Sequence, residues 1–259
     1  MVRISLDISK SIEKNAEVYF EKAKKARKKI EGAKEAVEKT RKKIEQVKKA
    51  ELKELEKEKK KLPERKKHWY EKFRWFITSD DFLVIGGRDA TSNEIVVKKH
   101  AEPDDLVLHT DMAGSPFFVI KSEGKKITET ALKEAADATC SFSRAWKLGL
   151  ATQSVFYVKP EQVTKTARPG EYLPRGAFMI KGKTSYIENK INCAIGMTDD
   201  GAIMAGPVEA VKKHCKKYVT IQQGDEKTSK IAKQIQYKIG GDLDEIIRAM
   251  PTGGVKIKK

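Results

Sequence analysis

Within six residues, Lys165-Thr166-Ala167-Arg168-Pro169-Gly170 brings together two cations, a hydroxyl and a glycine. Those are the groups a loop uses to hold a phosphate, with charge from the cations and donors from the hydroxyl and backbone N–H; a plain surface turn uses the same residues. Arg88, just after Gly86-Gly87, and Lys98, Lys99, Arg175, Lys181 and Lys183 would extend the loop into one basic face. Strand alternation would put Lys181 and Lys183 on the same side. His109 and Asp111 stand two apart, a spacing that in principle suits a metal or an acid/base pair. The other histidines (His68, His100, His214) make no ligand spacing with them, and no carboxylate–histidine–cysteine cluster is present. His109 is therefore expected to hold a loop by hydrogen bonding or to contact a polyanion. No GxSxG, HExxH, GxxxxGK[ST] or zinc pattern occurs. The expectation is a chain with no catalytic residue, no cofactor and no metal site.

A formal net charge of +17 needs a cause. Residues 1–72 hold 25 Lys/Arg against 14 Asp/Glu, whereas the remaining 187 hold 29 against 23, so most of the excess sits on one segment. Clustered lysine steers association with polyanions and makes it salt-dependent, although lysine also simply solvates an exposed helix. Three widely spaced cysteines, Cys140, Cys193 and Cys215, without a CxxC pair argue against disulfides and structural zinc, and for a reducing, cytoplasmic setting. No run of about 18 apolar residues predicts a membrane span, and MVRISLDISK lacks the layout of a secretion signal. At 259 residues there is room for one sizeable core plus something extended.

The extended part is legible. From Ile12 through Ala16, Tyr19, Ala23, Ala26 and Ile30 to Val47, apolar or small residues recur at alternating spacings of 4 and 3, a heptad seam. The phase breaks after Val47 and resumes at Leu52. An antiparallel coiled-coil helical hairpin turning near Lys48–Glu51 is expected over residues 1–76, with one continuous helix containing a stutter as the alternative. In HWYEKFRWF (68–76), Trp69, Phe73 and Phe76 share a face, read as a plug seating this arm on a domain rather than as base-stacking rings.

Residues 77–189 are expected to form an α+β domain, a mostly antiparallel sheet with one packed helix. Its strands are Phe82–Ile85, Glu94–Lys99, Leu106–Thr110, Phe117–Lys121, Val155–Val158 and Ala177–Lys181, and its helix runs from an N-cap at Thr128 to about Lys147. Residues 190–259 read as a small appended α+β subdomain. It comprises a hairpin around Thr198–Gly201, a basic helix opened by Pro207, a strand Tyr218–Gln222 and helices Thr228–Ile239 and Asp242–Met250.

Four spaced blocks carry a resemblance. WYEKFRWFITSDDFLVIGGRD (69–89), NEIVVK (93–98), DLVLHTD (105–111) and TKTARPGEYLPRGAFMIKG (164–182) resemble, in order, the RNA-binding domain of the NFACT family of NEMF- and RqcH-like proteins. NEIVVK looks like that family's second strand, and NAEVYF (15–20) like the start of its coiled coil. The resemblance covers about residues 4–187. It implies a ribosome-associated quality-control factor whose partners are large-subunit rRNA, tRNA and a nascent-chain complex, with a projecting arm available for protein contacts. It also implies binding of large subunits carrying peptidyl-tRNA and recruitment of alanyl-tRNA to extend the stalled chain. Where many members have a second His, this chain has Ala113 before Gly114. The family's N-terminal domain is not represented, so the sequence looks like a C-terminal part. A coiled-coil interaction scaffold and an RNA-modifying enzyme subunit built around His109 and Asp111 are the competing readings.

Overall fold

The computed structural model describes residues 4–59, 65–167, 170 and 172–258 and divides the chain into two compact units, Met1–Glu64 and Arg65–Lys259. In the first, Asn15 is almost fully buried because its amide closes the chain back on itself: Oδ1 accepts from Asp7 N at 2.8 Å and Nδ2 donates to Asp7 O at 2.9 Å. Tyr19 adds a bond from its hydroxyl to Ser5 O at 2.6 Å. These two side chains fix the entry to α1 (Ile12–Lys59), a helix of 48 residues.

That helix corrects the expected hairpin. It runs without interruption through 48–51, where the turn was expected. No glycine or proline stands there to end it, and a phase break of the apolar stripe is absorbed as a stutter inside one helix. The seam residues Ile30, Val37, Ile44 and Val47 are between 51% and 67% exposed, so no helix of the described chain covers them.

The second unit holds two antiparallel sheets around a shared core. The larger comprises β1 (Arg74–Ile77), β2 (Leu83–Gly86), β3 (Leu106–Thr110), β4 (Phe118–Ile120), β5 (Val155–Val158) and β8 (Ser185–Ile187), in the order β1-β2-β4-β3-β5-β8. The smaller comprises β9 (Cys193–Thr198), β10 (Ile203–Gly206), β11 (Cys215–Gln223) and β12 (Val255–Ile257), in the order β10-β9-β11-β12. A short ribbon joins β6 (Val163–Thr164) to β7 (Met179–Ile180). The helices are α2 (Ala90–His100), α3 (Glu129–Ser141), α4 (Arg144–Leu148), α5 (Val208–His214), α6 (Thr228–Ile239) and α7 (Leu243–Ala249).

The expected strand Glu94–Lys99 is helix α2. Its β-branched run Ile95-Val96-Val97 favours strands in isolation, but the preceding residues cap a helix. Asp89 Oδ1 accepts from Ser92 N at 2.7 Å while Asp89 N donates to Ser92 Oγ at 2.9 Å. Burial then follows the helical period, at Asn93, Val96 and Val97. The sheet therefore carries two packed helices, α2 and α3, where one was expected. Thr128 caps α3 as expected, its hydroxyl accepting from Ala131 N at 3.1 Å. The helix expected to reach Lys147 breaks at Ser143, whose Oγ donates to Cys140 O at 2.7 Å and accepts from Ala145 N at 3.0 Å, starting α4.

The aromatic block joins the two sheets. Phe73 and Phe76 are fully buried in the second unit, so the plug belongs to this core. A Cβ added at Gly206 of β10 would lie 2.6 Å from the Phe76 ring, so only glycine lets β10 pass this close. Trp69 instead stays half exposed and stacks on His100 with centroids 4.6 Å apart. Because Phe76 fills the seam between both sheets, Phe76→Ala is expected to cost about 3–5 kcal/mol. Both sheets should then unfold together, read by urea denaturation followed through near- and far-ultraviolet circular dichroism.

Candidate nucleic-acid interface

Strand β3 delivers His109, and the loop after it is tied by its own hydroxyls. Thr110 Oγ1 donates to Ser115 Oγ at 2.6 Å, and Ser115 Oγ donates to Met112 O at 3.0 Å. His109 joins this tie, its Nε2 donating to Ser115 O at 3.1 Å, which places the proton on Nε2. Its ring stacks on Phe117 at 4.0 Å. Burial lowers the imidazole pKa below its ordinary value, and the bonds to Ser115 and Thr110 only partly oppose this. His109 is thus a neutral, loop-holding side chain and half of an aromatic wall. Asp111 is exposed and accepts from the Tyr186 hydroxyl at 3.2 Å. Asp105, first residue of the same motif, is fully buried: it pairs with Lys121 Nζ at 2.5 Å and accepts from Ser122 N at 2.8 Å. Among the described residues no group of three or more His, Cys, Asp or Glu could hold a metal.

His109 and Asp111 open on a cleft of about 690 Å³, and Arg88 and Arg175 line it too. Arg88 spends one nitrogen on the Phe73 and Glu71 carbonyls, at 2.8 and 3.3 Å, while its Nε is buried without an acceptor among the described residues. Beside it stands a residue that the sequence pattern does not single out, Arg74, which is 8% exposed. Arg74 donates to Met250 O at 3.1 Å and lies 4.5 Å over the Phe142 ring. Burial, with the neighbouring Arg88 charge, lowers its pKa to about 10, so it stays protonated at neutral pH. Neither guanidinium has a carboxylate ion pair among the described residues. Arg144 and Lys147, on the exposed side of α4, add two more unanticipated cations at the rim. Five cations, Arg74, Arg88, Arg144, Lys147 and Arg175, therefore face two carboxylates, Asp89 and Asp111. The sequence signal for Arg74 is a lone arginine among Phe73, Trp75 and Phe76, which a reading focused on rings passes over.

Lys165 is not the free phosphate hand that was expected. Its Nζ pairs with Glu94 Oε1 at 2.5 Å, donates to Pro174 O at 3.2 Å and sits 4.9 Å from the Phe178 ring. This bond holds the Glu94 carboxyl below its usual pKa. Lys165 thereby clips the segment leading to Arg175 onto α2. Gly176 completes the clip: a Cβ there would lie 2.6 Å from Ala90 Cα, and its φ is +82°. Thr166 is engaged locally, its N and hydroxyl both meeting Thr164 Oγ1 at 3.1 Å. Arg168 lies outside the described residues. Lys98 and Lys99 belong to the last turn of α2 rather than to a strand, and Lys98 lies 4.0 Å from Glu94. Lys181 and Lys183 are exposed, but β7 ends at Ile180 and Gly182 turns with φ +79°, so strand alternation does not relate them. Gln162 bonds both their carbonyls at 2.9 Å. Neither these four lysines nor Thr166 line the cleft.

Residues 72–182 match the family described as NFACT protein RNA binding domain. Over 99% of its length the chain is 44% identical to the archaeal Rqc2 homolog aRqcH of Methanocaldococcus jannaschii, covering 40% of that protein. It is 40% identical over 174 residues to the human ribosome quality control complex subunit NEMF, covering 67% of this chain and 16% of that one. The C-terminal part of a fibronectin/fibrinogen-binding protein from Streptococcus suis superposes over 50% of this chain and 51% of its own, at 20% identity and a TM-score of 0.39, too loosely to carry an argument.

The buried imidazole makes a pH signature. The unfolded His109 protonates before the folded one as pH falls, so its contribution to stability is complete above about 6.5 and lost below it. His100, also lowered by burial, adds a component of the same sign. Urea midpoints measured at pH 7.5 and 5.5 should therefore drop less in His109→Gln than in the unsubstituted chain.

Proposed function

Since the chain belongs to the NFACT ribosome quality-control family and carries its RNA-binding domain, we propose that it is the RNA-binding part of a ribosome-associated quality-control factor. In this reading it binds stalled large subunits that carry peptidyl-tRNA and supports alanyl-tRNA recruitment for C-terminal tailing, in the cytoplasm and without chemistry of its own. Its partners are large-subunit rRNA, tRNA and the nascent-chain complex. The chain spans 40% of the archaeal relative and 16% of human NEMF, so the tailing activity is one to which these residues contribute contacts.

The observation that carries the reading is the cleft lined by buried Arg74 and half-buried Arg88 together with three exposed cations. A buried guanidinium without a carboxylate is costly to hold, and an anion entering the cleft offsets that cost. Phosphate, like carboxylate, is an anion that an arginine fork can bind with two parallel hydrogen bonds. Among the described residues no helix is long and apolar enough to cross a membrane.

A second reading rests on α1. Its seam residues Ile30, Val37 and Ile44 repeat every seven positions and are exposed, which suits a partner protein's helix bearing a matching heptad seam. The two readings separate cleanly. Co-sedimentation with large subunits should weaken steeply with salt, and Arg144→Gln with Arg175→Gln should flatten the log–log salt slope by roughly 0.7 for each phosphate these side chains neutralise. Binding that ignores those changes but disappears in Ile30→Asp with Val37→Asp would support the scaffold instead.

A further inference from the structure

The cleft has more than cations. One side of the lining is aromatic: His109 is stacked on Phe117, with Phe156 in edge contact with His109 and Phe178 with Phe117, centroids 6.0 and 5.2 Å apart, and the nearly buried Phe117 and Phe156 leave mainly His109 and Phe178 to meet a ligand. The imidazole is neutral because it is buried, so this wall carries no charge of its own. The same cleft is lined by buried Arg74, half-buried Arg88 and the exposed Arg144 and Arg175. Two carboxylates face the same space and keep their charge: Asp89, which caps α2 and lies within electrostatic reach of Arg88 and Arg175, and Asp111, which accepts from Tyr186; the cations still outnumber them five to two. The space, about 690 Å³, falls inside the roughly 300–1,000 Å³ of sites that enclose a small molecule.

A recess of this kind discriminates between forms of RNA. A duplex presents a convex, phosphate-studded backbone that reaches rim cations, while its bases stay stacked inside. Arg74 lines the cleft and is only 8% exposed, so a duplex backbone passing over the surface finds little of it. An unpaired nucleotide can enter, set its base against an aromatic or guanidinium face and bring its phosphate to the arginines; protein modules that read single-stranded RNA work in this way.

We propose that the cleft between β3, the first turn of α2 and α4 receives one unpaired nucleotide of an RNA strand, its base against the aromatic side at His109 and Phe178 and its phosphate toward Arg74 and Arg88. This rests on the RNA-binding reading above and narrows it to a single-stranded segment or end. The clip of Lys165 on Glu94 then has a defined role, holding Arg175 and Phe178 at the mouth. The departure at Ala113 gains meaning too, because this small exposed residue leaves the mouth open.

The test uses the whole chain, fluorescence anisotropy, a labelled single-stranded pentaribonucleotide and a blunt RNA hairpin. Ala113→Trp narrows the mouth without changing any charge. It should weaken binding of the single strand on the order of tenfold and leave the hairpin within about twofold. Adenosine monophosphate should displace the single strand from the unsubstituted chain and spare the hairpin, a result that needs no folded variant. If both RNAs bind but neither Ala113→Trp nor the mononucleotide distinguishes them, the nucleotide cleft is overturned and general RNA binding stands. If neither RNA binds at low salt, both proposals are overturned.

Discussion

Everything in the second unit turns on the close passage of β1 across β10, where Phe76 lies on Gly206. A strand alternates its side chains, so fixing Phe76 toward the smaller sheet also sends Arg74 to that side, where it meets the Met250 carbonyl. Trp75, facing the other way, packs against Tyr70. The buried arginine of the cleft is thus placed by the same contact that welds the sheets. Its desolvation is imposed by packing that the core requires for its own sake, and the charge stays on because a guanidinium loses its proton only with great difficulty.

The other cations divide by what they touch. Lys121 neutralises buried Asp105, and Lys165 is held by Glu94. Lys213 bonds Asp81 at 2.8 Å, and Arg65 is paired with Glu71 and Glu245. Such residues set loop and element positions. Arg74, Arg88, Arg144, Lys147 and Arg175 are left without ion pairs among the described residues, and all five converge on one recess. A large positive total is weak information, since much of it is matched locally; the unmatched remainder and its location are what give the surface a preference for anions.

Much of the fold can be read from the chain, and the failures have physical causes. Helix α6 and strands β3 and β5 fall on the expected residues, because each shows an uncontested period bounded by turn chemistry. Helix α2 escapes because three β-branched residues in a row outweigh a capping box at Asp89 and Ser92. The expected hairpin rests on a phase break that one helix accommodates. Of the cleft, His109, Asp111, Arg88 and Arg175 stand out by residue type and motif. Arg74, Arg144 and Lys147 do not, because convergence of residues far apart in the chain is a property of topology. Lys165 misleads for the converse reason: its partner Glu94 belongs to an element assigned the wrong structure, so the ion pair could not be foreseen.

The uninterrupted course of α1 has a consequence of its own. At about 1.5 Å of rise per residue, its 48 residues extend about 72 Å, many times the roughly 8 Å over which charges sense one another at physiological ionic strength. The two ends of the rod, unlike neighbouring turns about 5.4 Å apart, are therefore electrostatically independent: each reports only on the stretch of polyanion or protein beside it. A rod of that kind works as a ruler rather than as a magnet, so its length would govern how far apart two simultaneously engaged surfaces can lie, whereas its composition would govern how firmly each is held.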